Sequence, residues 1–379
     1  MRVGMISTYP PIECGVATYT QYLTEALRTS AVDVYVVGHL GSSGPRVFPV
    51  FDYEDEDLPE RAFSAMMRLT PDVVHVQHEF GMYGRHHGVN AVPLLLRFRL
   101  LGVPVVVTLH TVYARIDPPH RILLENILIN ADAAIVHEPY QREALHRELG
   151  GRFDDKVRVI PHGARLVDPD PDARRKLGLP ENRPVVLMIG YFRPSKRFER
   201  IVDLFPRVVE RVPDALLVVA GKIRGQEFLE YRDMLFDRIR SSPVRDQIVL
   251  IRGQLAQETF DRILSAADVV ALPYEINAQS GVLAHCLAFG RPVVTSDTES
   301  MRRALADSGA GLVCASDDEF VEAISRLLGD PGLRERCGEA ARRHVRERVA
   351  WPLVAARHLD LYRGLVGYGA IEPNVLVVD

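Results

Sequence analysis

Short runs of β-branched and other apolar residues alternate with longer amphipathic stretches along the whole 379-residue chain. In the first half the runs are RVGMIS, VDVYVV, VVHVQ, VPVVVTLH, AAIVH and VRVIP, with helices predicted near Thr18 to Leu27, near Leu94 and from Tyr140. The rhythm restarts with PVVLMIG, a helix from Phe198, then ALLVVAG, QIVLI, VVALP, a helix from Ser280, RPVVTSD and two or three final helices. Strands that are apolar almost throughout suit a parallel sheet covered on both faces. The pattern predicts an α/β protein of two Rossmann-like, doubly wound domains, with the Pro/Asp-rich segment near Asp168 to Asp172 as the linker.

Composition narrows the class. Hydrophobic residues at 47% and charged residues at 25% are ordinary for a globular protein, and the length calls for two cores. A net charge of -4 gives no basic footprint for nucleic acid. Cys14, Cys286, Cys314 and Cys337 lack metal-binding spacing and read as thiols in a reducing compartment. The chain opens MRVGMISTYPP without a leader-like apolar region, and no run approaches the roughly 20 apolar residues of a membrane span. A cytoplasmic protein is expected. RFRLLG, Arg97 to Gly102, could touch a membrane surface, but a solvated helix end is the preferred reading.

In doubly wound sheets, ligands bind at the carboxyl ends of the strands, so those ends carry the candidate chemistry. After the first strand, Pro10 and Pro11 extend a loop and Gly15 permits close backbone approach at a helix start. VVHVQHE places His75, His78 and Glu79 together; with no third ligand at metal spacing, they read as satisfied strand-end histidines. VVVTLH ends on His110, an imidazole able to act as donor, acid or base near neutral pH.

The second half concentrates cations. MIGYFRPSKRF gathers Arg193, Lys196 and Arg197 in one loop, and two of the chain's four lysines, Lys196 and Lys222, directly follow strands. A point cation with a bidentate arginine suits phosphate. Ser280, Gly281 and Val282 open a helix after VVALP, where backbone N–H groups and the helix dipole also favour an anion. A plain Ser280 N-cap explains the serine equally well.

Together these residues resemble the retaining, nucleotide-sugar-dependent glycosyltransferases of the family-four type, with the GT-B arrangement of two facing Rossmann-like domains and an interdomain cleft. The resemblance runs over PPIECG, VVHVQHE, VVVTLH, VRVIPHG, MIGYFRPSK, VVAGK, LSAADVVALPY, SGVLAHCLAFGRPVV and VAWPLVAARHLDLYRGL. It implies an acceptor-side domain over residues 1–166, completed by a C-terminal helix over 352–379, and a nucleotide-sugar domain over 167–351. It places Gly15 near the donor phosphates or acceptor, His110 facing the donor sugar, and Lys196 on phosphate. Arg193 stands in for the family's arginine, whose position holds Tyr191. The region of Ile251 and Glu258 would read the nucleobase.

The chain departs from the family where paired glutamates are usual: that register falls on Asn277 and His285. A neutral His285 can still hydrogen-bond ribose. Asn277 can bond a sugar but cannot serve as nucleophile or base, and Glu275 could replace the carboxylate if the loop bends; Gln279 completes the loop ahead of Ser280. The implied reaction is transfer of a sugar, from GDP-mannose or a UDP-sugar, to a hydroxyl acceptor. No metal or cofactor is expected: Arg193, Lys196 and the Ser280 to Val282 amides would carry the leaving diphosphate's charge. With Asn277 in place of a carboxylate, front-face attack assisted by the leaving phosphate is favoured over a covalent intermediate. Alternatives are a catalytically inactive nucleotide-sugar-binding or partner-regulating protein, and a nucleotide-sugar epimerase; oligomeric state stays open.

Overall fold

The computed structural model describes residues 1–223, 227–253, 255–275 and 280–367. Asn277 and Gln279 therefore lie outside the described residues. The chain divides into two compact units, Met1–Gly163 with the return segment that begins at Trp351, and Ala164–Ala350.

The first unit is built on strands β1 (Arg2–Ser7), β2 (Asp33–His39), β3 (Val47–Phe51), β4 (Val73–His78), β5 (Val105–Leu109), β6 (Ala133–Val136) and β7 (Val157–Val159). They form a seven-stranded sheet in the order β3-β2-β1-β4-β5-β6-β7, with every neighbouring pair parallel. The second unit has β8 (Val185–Tyr191), β9 (Leu216–Lys222), β10 (Ile248–Arg252), β11 (Val269–Leu272), β12 (Val293–Ser296) and β13 (Gly311–Cys314). These make a six-stranded parallel sheet in the order β10-β9-β8-β11-β12-β13.

The inner strands of each sheet are buried on both faces, which is why they read as unbroken apolar runs. Successive residues point to opposite faces. In β8, Leu187 and Ile189 enter one core while Val186 and Met188 enter the other. Likewise Val105 and Val107 of β5 pack on one side and Val106 on the other.

Two strands are missing from the sequence reading. β3 carries Pro49 and lies at a sheet edge, where a missing N–H is tolerated, and β13 is a four-residue edge strand. The helices after β12 number four among the described residues, Glu299–Ser308, Asp317–Gly329, Pro331–His344 and Trp351–Val366, rather than two or three. Thr298, Ser316 and Asp330 cap the first three through their side chains. The Pro/Asp-rich segment is anchored inside the second unit: Asp170 N–H bonds Ser265 and Arg174 pairs with Asp268 at 2.6 Å.

The helix Trp351–Val366 returns to the first unit and packs on the helix Gly15–Arg28. Trp351 meets Tyr19 edge-on at 5.1 Å, and Val354, Ala355, Leu359 and Tyr362 join the apolar cluster with Val3, Met5 and Leu23. Among the described residues, no helix is long and apolar enough to cross a membrane. In RFRLLG, Leu100 and Leu101 are exposed and Arg97 pairs with Glu60 at 3.0 Å.

Candidate functional site

The second sheet reverses its strand order between β8 and β11, since sequence order runs outward from that pair in both directions. Neighbouring connections leave to opposite faces there, which opens a crevice at the strand ends. The loop after β8 carries Arg193, Lys196 and Arg197; the segment after β11 carries Tyr274, Glu275 and Ser280. The fold thus brings the two sequence-predicted phosphate features to one place.

Lys196 ends a short 3-10 turn, Pro194–Lys196. Its Nζ donates to the Tyr274 hydroxyl at 2.9 Å and lies 4.4 Å from the centre of that ring. Glycines make room for it. Gly190 has φ +139°, and a Cβ there would sit 3.1 Å from Lys196 Nζ; a Cβ on Gly221 would stand 1.9 Å from the Gly190 carbonyl oxygen. Burial, reinforced by the nearby Arg193 charge, lowers the Lys196 pKa to about 7. The ammonium is therefore poised to gain strength when an anion arrives. Arg193 itself is exposed at the start of the turn.

Ser280 is the N-cap of the helix Gly281–Ala288, its Oγ accepting from Leu283 N–H at 3.1 Å. The helix begins one residue later than predicted, and the capping reading of Ser280 holds. Gly281 and Val282 are half-exposed at the helix start. A Cβ on Gly281 would meet nothing within 4 Å, so space is open above the helix start.

His285, one turn inside, packs against Phe260 of the helix Gln257–Ala266 at 5.0 Å. Burial, followed by repulsion from Arg165, drops its pKa to about 4, so the ring is neutral at physiological pH. Glu258, in the first turn of that same helix, is exposed and paired with Arg262 at 2.6 Å. Ile251 sits half-buried in β10 opposite Ala220. Lys222 closes β9 opposite Tyr191, and its carbonyl accepts from Phe192 N–H at 2.8 Å.

Tyr274, Glu199 and Tyr231 were not singled out in the sequence. Tyr274 could have been, because it stands two residues beyond β11, where the strand-end rule points. Glu199 accepts from Arg197 Nε at 2.7 Å and from the Tyr231 hydroxyl at 2.5 Å, while that hydroxyl accepts from Phe198 N–H. Nothing in the local pattern announces that network, whose members come from two helices.

In the first unit the order reverses between β1 and β4. Gly15 starts the helix Gly15–Arg28, exposed, with nothing within 4 Å of an added Cβ. His110 follows β5 and is packed into the first unit. Its ring is buried, Nε2 donates to Gln77 Oε1 at 2.9 Å, and Nδ1 lies 3.4 Å from His137. Burial first, then His137, His162, His75 and His78, hold its pKa well below the ordinary value. That shift favours the neutral imidazole.

His75 is satisfied as expected, donating from Nδ1 to Tyr362 at 2.6 Å and accepting at Nε2 from Thr108 at 2.7 Å. His78 is not: both ring nitrogens are buried without a hydrogen-bond partner. Glu79 instead ties the loops after β4 and β5 together, accepting from Thr111 at 2.6 Å. No group of three or more His, Cys, Asp or Glu suited to a metal occurs among the described residues.

The pattern of the family described as "Glycosyltransferase Family 4" matches residues 14–167, and that of "Glycosyl transferases group 1" matches residues 169–344. The chain belongs to the family-four glycosyltransferases. This glycosyltransferase uses a nucleotide-sugar donor and has the GT-B fold, and the family retains anomeric configuration. Phosphatidyl-myo-inositol mannosyltransferase of Mycolicibacterium smegmatis is 27% identical over 97% of this chain and 95% of its own. Among solved structures, sucrose-phosphate synthase from Thermosynechococcus elongatus superimposes with a TM-score of 0.77 at 20% identity, covering 97% of the glycosyltransferase and 100% of the other chain. Anabaena HepE in complex with UDP-glucose gives 0.73 at 15% identity, over 96% and 100%. At those identities the structures speak for the fold.

Proposed function

We propose that the crevice between β8 and β11 holds the diphosphate of the donor and that the enzyme transfers a hexosyl group to a hydroxyl acceptor. The carrying observation is the convergence of Lys196, Arg193 and the N-terminus of the helix Gly281–Ala288 at the point where strand order reverses. Lys196 and Arg193 supply charge, and the Gly281 and Val282 amides supply directed donors, to an oxygen that becomes more negative as the sugar leaves. Lys222 adds a further cation at the end of β9, on the nucleotide side. His285 offers a neutral imidazole to ribose, and Ile251 with Glu258 borders the base.

The anomeric carbon becomes oxocarbenium-like in such transfers. Asn277 has no carboxylate to trap it, which favours attack from the departing diphosphate's side, the phosphate oxygen accepting the acceptor's proton. His110 enters this reading as a neutral group that shapes the first unit's strand ends. A UDP-hexose or GDP-mannose is the donor class, supported by the names of similar proteins, and a cytoplasmic setting fits four free cysteines. A stability screen with UDP-glucose, UDP-N-acetylglucosamine and GDP-mannose tests the donor, since a ligand at 100 times its Kd adds about 2.7 kcal/mol. Nucleoside diphosphate released only when an acceptor is added establishes transfer.

The positions of Asn277 and His285 favour one second reading, a donor-binding protein without turnover. Tight donor binding with neither hydrolysis nor transfer across a broad acceptor panel would select it.

A further inference from the structure

Tyr274 is buried, only 4% exposed, in the apolar core of the second unit, yet it stands two residues beyond β11 and carries a polar tip. A buried phenol needs partners for its hydroxyl. Here they come from the two halves of the proposed anion site. Lys196 Nζ donates to the hydroxyl at 2.9 Å, and the Ser280 side chain hydrogen-bonds the same group. Ser280 in turn caps the helix Gly281–Ala288. One hydroxyl thus joins the cation after β8 to the first turn of the helix after β11.

A lysine side chain is a flexible stem with a point charge at its end, so an ammonium left to itself samples many positions. Lys196 is confined instead. The centre of the Tyr274 ring lies 4.4 Å from Nζ, and a Cβ on Gly190 would stand 3.1 Å from it. The other titratable groups near Nζ do not do the work of the phenol. Arg193 repels it, and the Cys286 thiol, pushed up to about 12 by burial, is uncharged at neutral pH. Burial, then Cys286, also raise the Tyr274 pKa, so its hydroxyl stays protonated and acts as a dipole. A dipole orients the ammonium without neutralising it. Two of the three ammonium N–H donors are left for an incoming phosphate.

We infer that Tyr274 is a positioning residue for transfer: its hydroxyl fixes the Lys196 ammonium beside the start of the helix Gly281–Ala288, so that cation and amides meet the same diphosphate. The inference rests on the diphosphate reading of Lys196. It adds that the site is organised before the donor arrives, which is what makes such donors effective. The two segments stay joined without the hydroxyl. Glu275 N–H donates to the Ser195 carbonyl at 3.0 Å, and Glu275 Oε2 lies 3.6 Å from Arg197 Nη1. Tyr274→Phe therefore removes one oxygen and keeps the ring and the bridge.

Calorimetric titration of the full chain with UDP and GDP at pH 6, 7 and 8, with Tm measured alongside, tests it in wild type, Tyr274→Phe, Lys196→Arg, the double variant and Lys196→Ala. Losing a hydrogen bond to a charged group should move the pH at which affinity declines down by about one unit in Tyr274→Phe. For the nucleotide that wild type binds, the loss is then about twofold at pH 6 and about tenfold at pH 8. The nucleotide's own titration is common to every variant. Lys196→Arg stays charged, so adding Tyr274→Phe to it should leave no such pH-dependent loss. A merely structural tyrosine would lower Tm and weaken binding equally at every pH. That result, or an unchanged profile in Tyr274→Phe, overturns the positioning role. Lys196→Ala binding both nucleotides as wild type does overturns the diphosphate reading itself, as does wild type that binds neither.

Discussion

The two sheets reverse their strand order in the same way, yet the chemistry at the two reversal points is opposite. The first unit gathers buried imidazoles beneath its helix Gly15–Arg28: His75, His110 and His137, with His358 reaching in from the return helix. All are held neutral by burial above all. The second unit gathers cations in a loop and at a helix start, with Lys196 balanced near its titration point. One topology therefore provides a tightly packed cluster of neutral imidazoles in one unit and an anion-seeking strand end in the other. The difference lies in side chains after the strands, while the strands themselves are interchangeable in character.

The largest effect is expected from removing the charge on the anion-seeking side. Lys196→Ala should lower kcat/KM by about 100-fold or more, as loss of a donor to a developing oxyanion does. Near-normal turnover with unchanged donor affinity would erase the contrast between the two reversal points.

Acid should break the other side first. His137 and His358 are held at about 4, below the ordinary 6.5. A depressed histidine contributes stability that is fully present above pH 6.5 and is lost as pH falls through the folded value, because the unfolded chain takes up the proton first. Each costs up to about 3 kcal/mol by pH 4. Hydrogen exchange across pH 7 to 4.5 should show the strands around His75, His137 and His358 losing protection before those of the second sheet, where His285 is the comparable buried ring. Simultaneous loss in both would contradict the contrast.

Rising pH should act on the second unit alone. As pH climbs through about 7 the free Lys196 ammonium deprotonates, and donor affinity should fall by up to about tenfold per unit. Titrating donor binding at pH 6, 7 and 8 checks this, and Lys196→Arg, always protonated, should flatten the profile.

The smallest change belongs to the packed side. Tyr362→Phe removes the acceptor for His75 Nδ1–H and should cost about 1–2 kcal/mol in stability. Donor binding should be unaffected, and chemical denaturation beside donor titration reads both.

Most of the fold was legible because strands buried on both faces leave a continuous apolar signature. β3 and β13 escaped because edge strands need neither length nor unbroken burial. At the site, Lys196, Arg193 and the Ser280 to Val282 turn could be read because they follow strands directly. His110 could be located but not understood: a strand-end histidine looks the same whether it faces solvent or, as here, Tyr19 at 4.7 Å and Gln77. Tyr274 and the pair of Arg197 with Glu275 needed distances, since their partners lie on other strands or loops.

The sequence alone determined the alternation of strands and helices, the two-unit division of labour between apolar strands and polar strand ends, and the family, because each is written in local order and residue type. Tertiary structure decided which groups are charged and which face one another. Burial sets the protonation of Lys196 and the histidines, and crossover topology carries the loop after β8 to the helix after β11, and neither is a property of neighbouring residues in the chain.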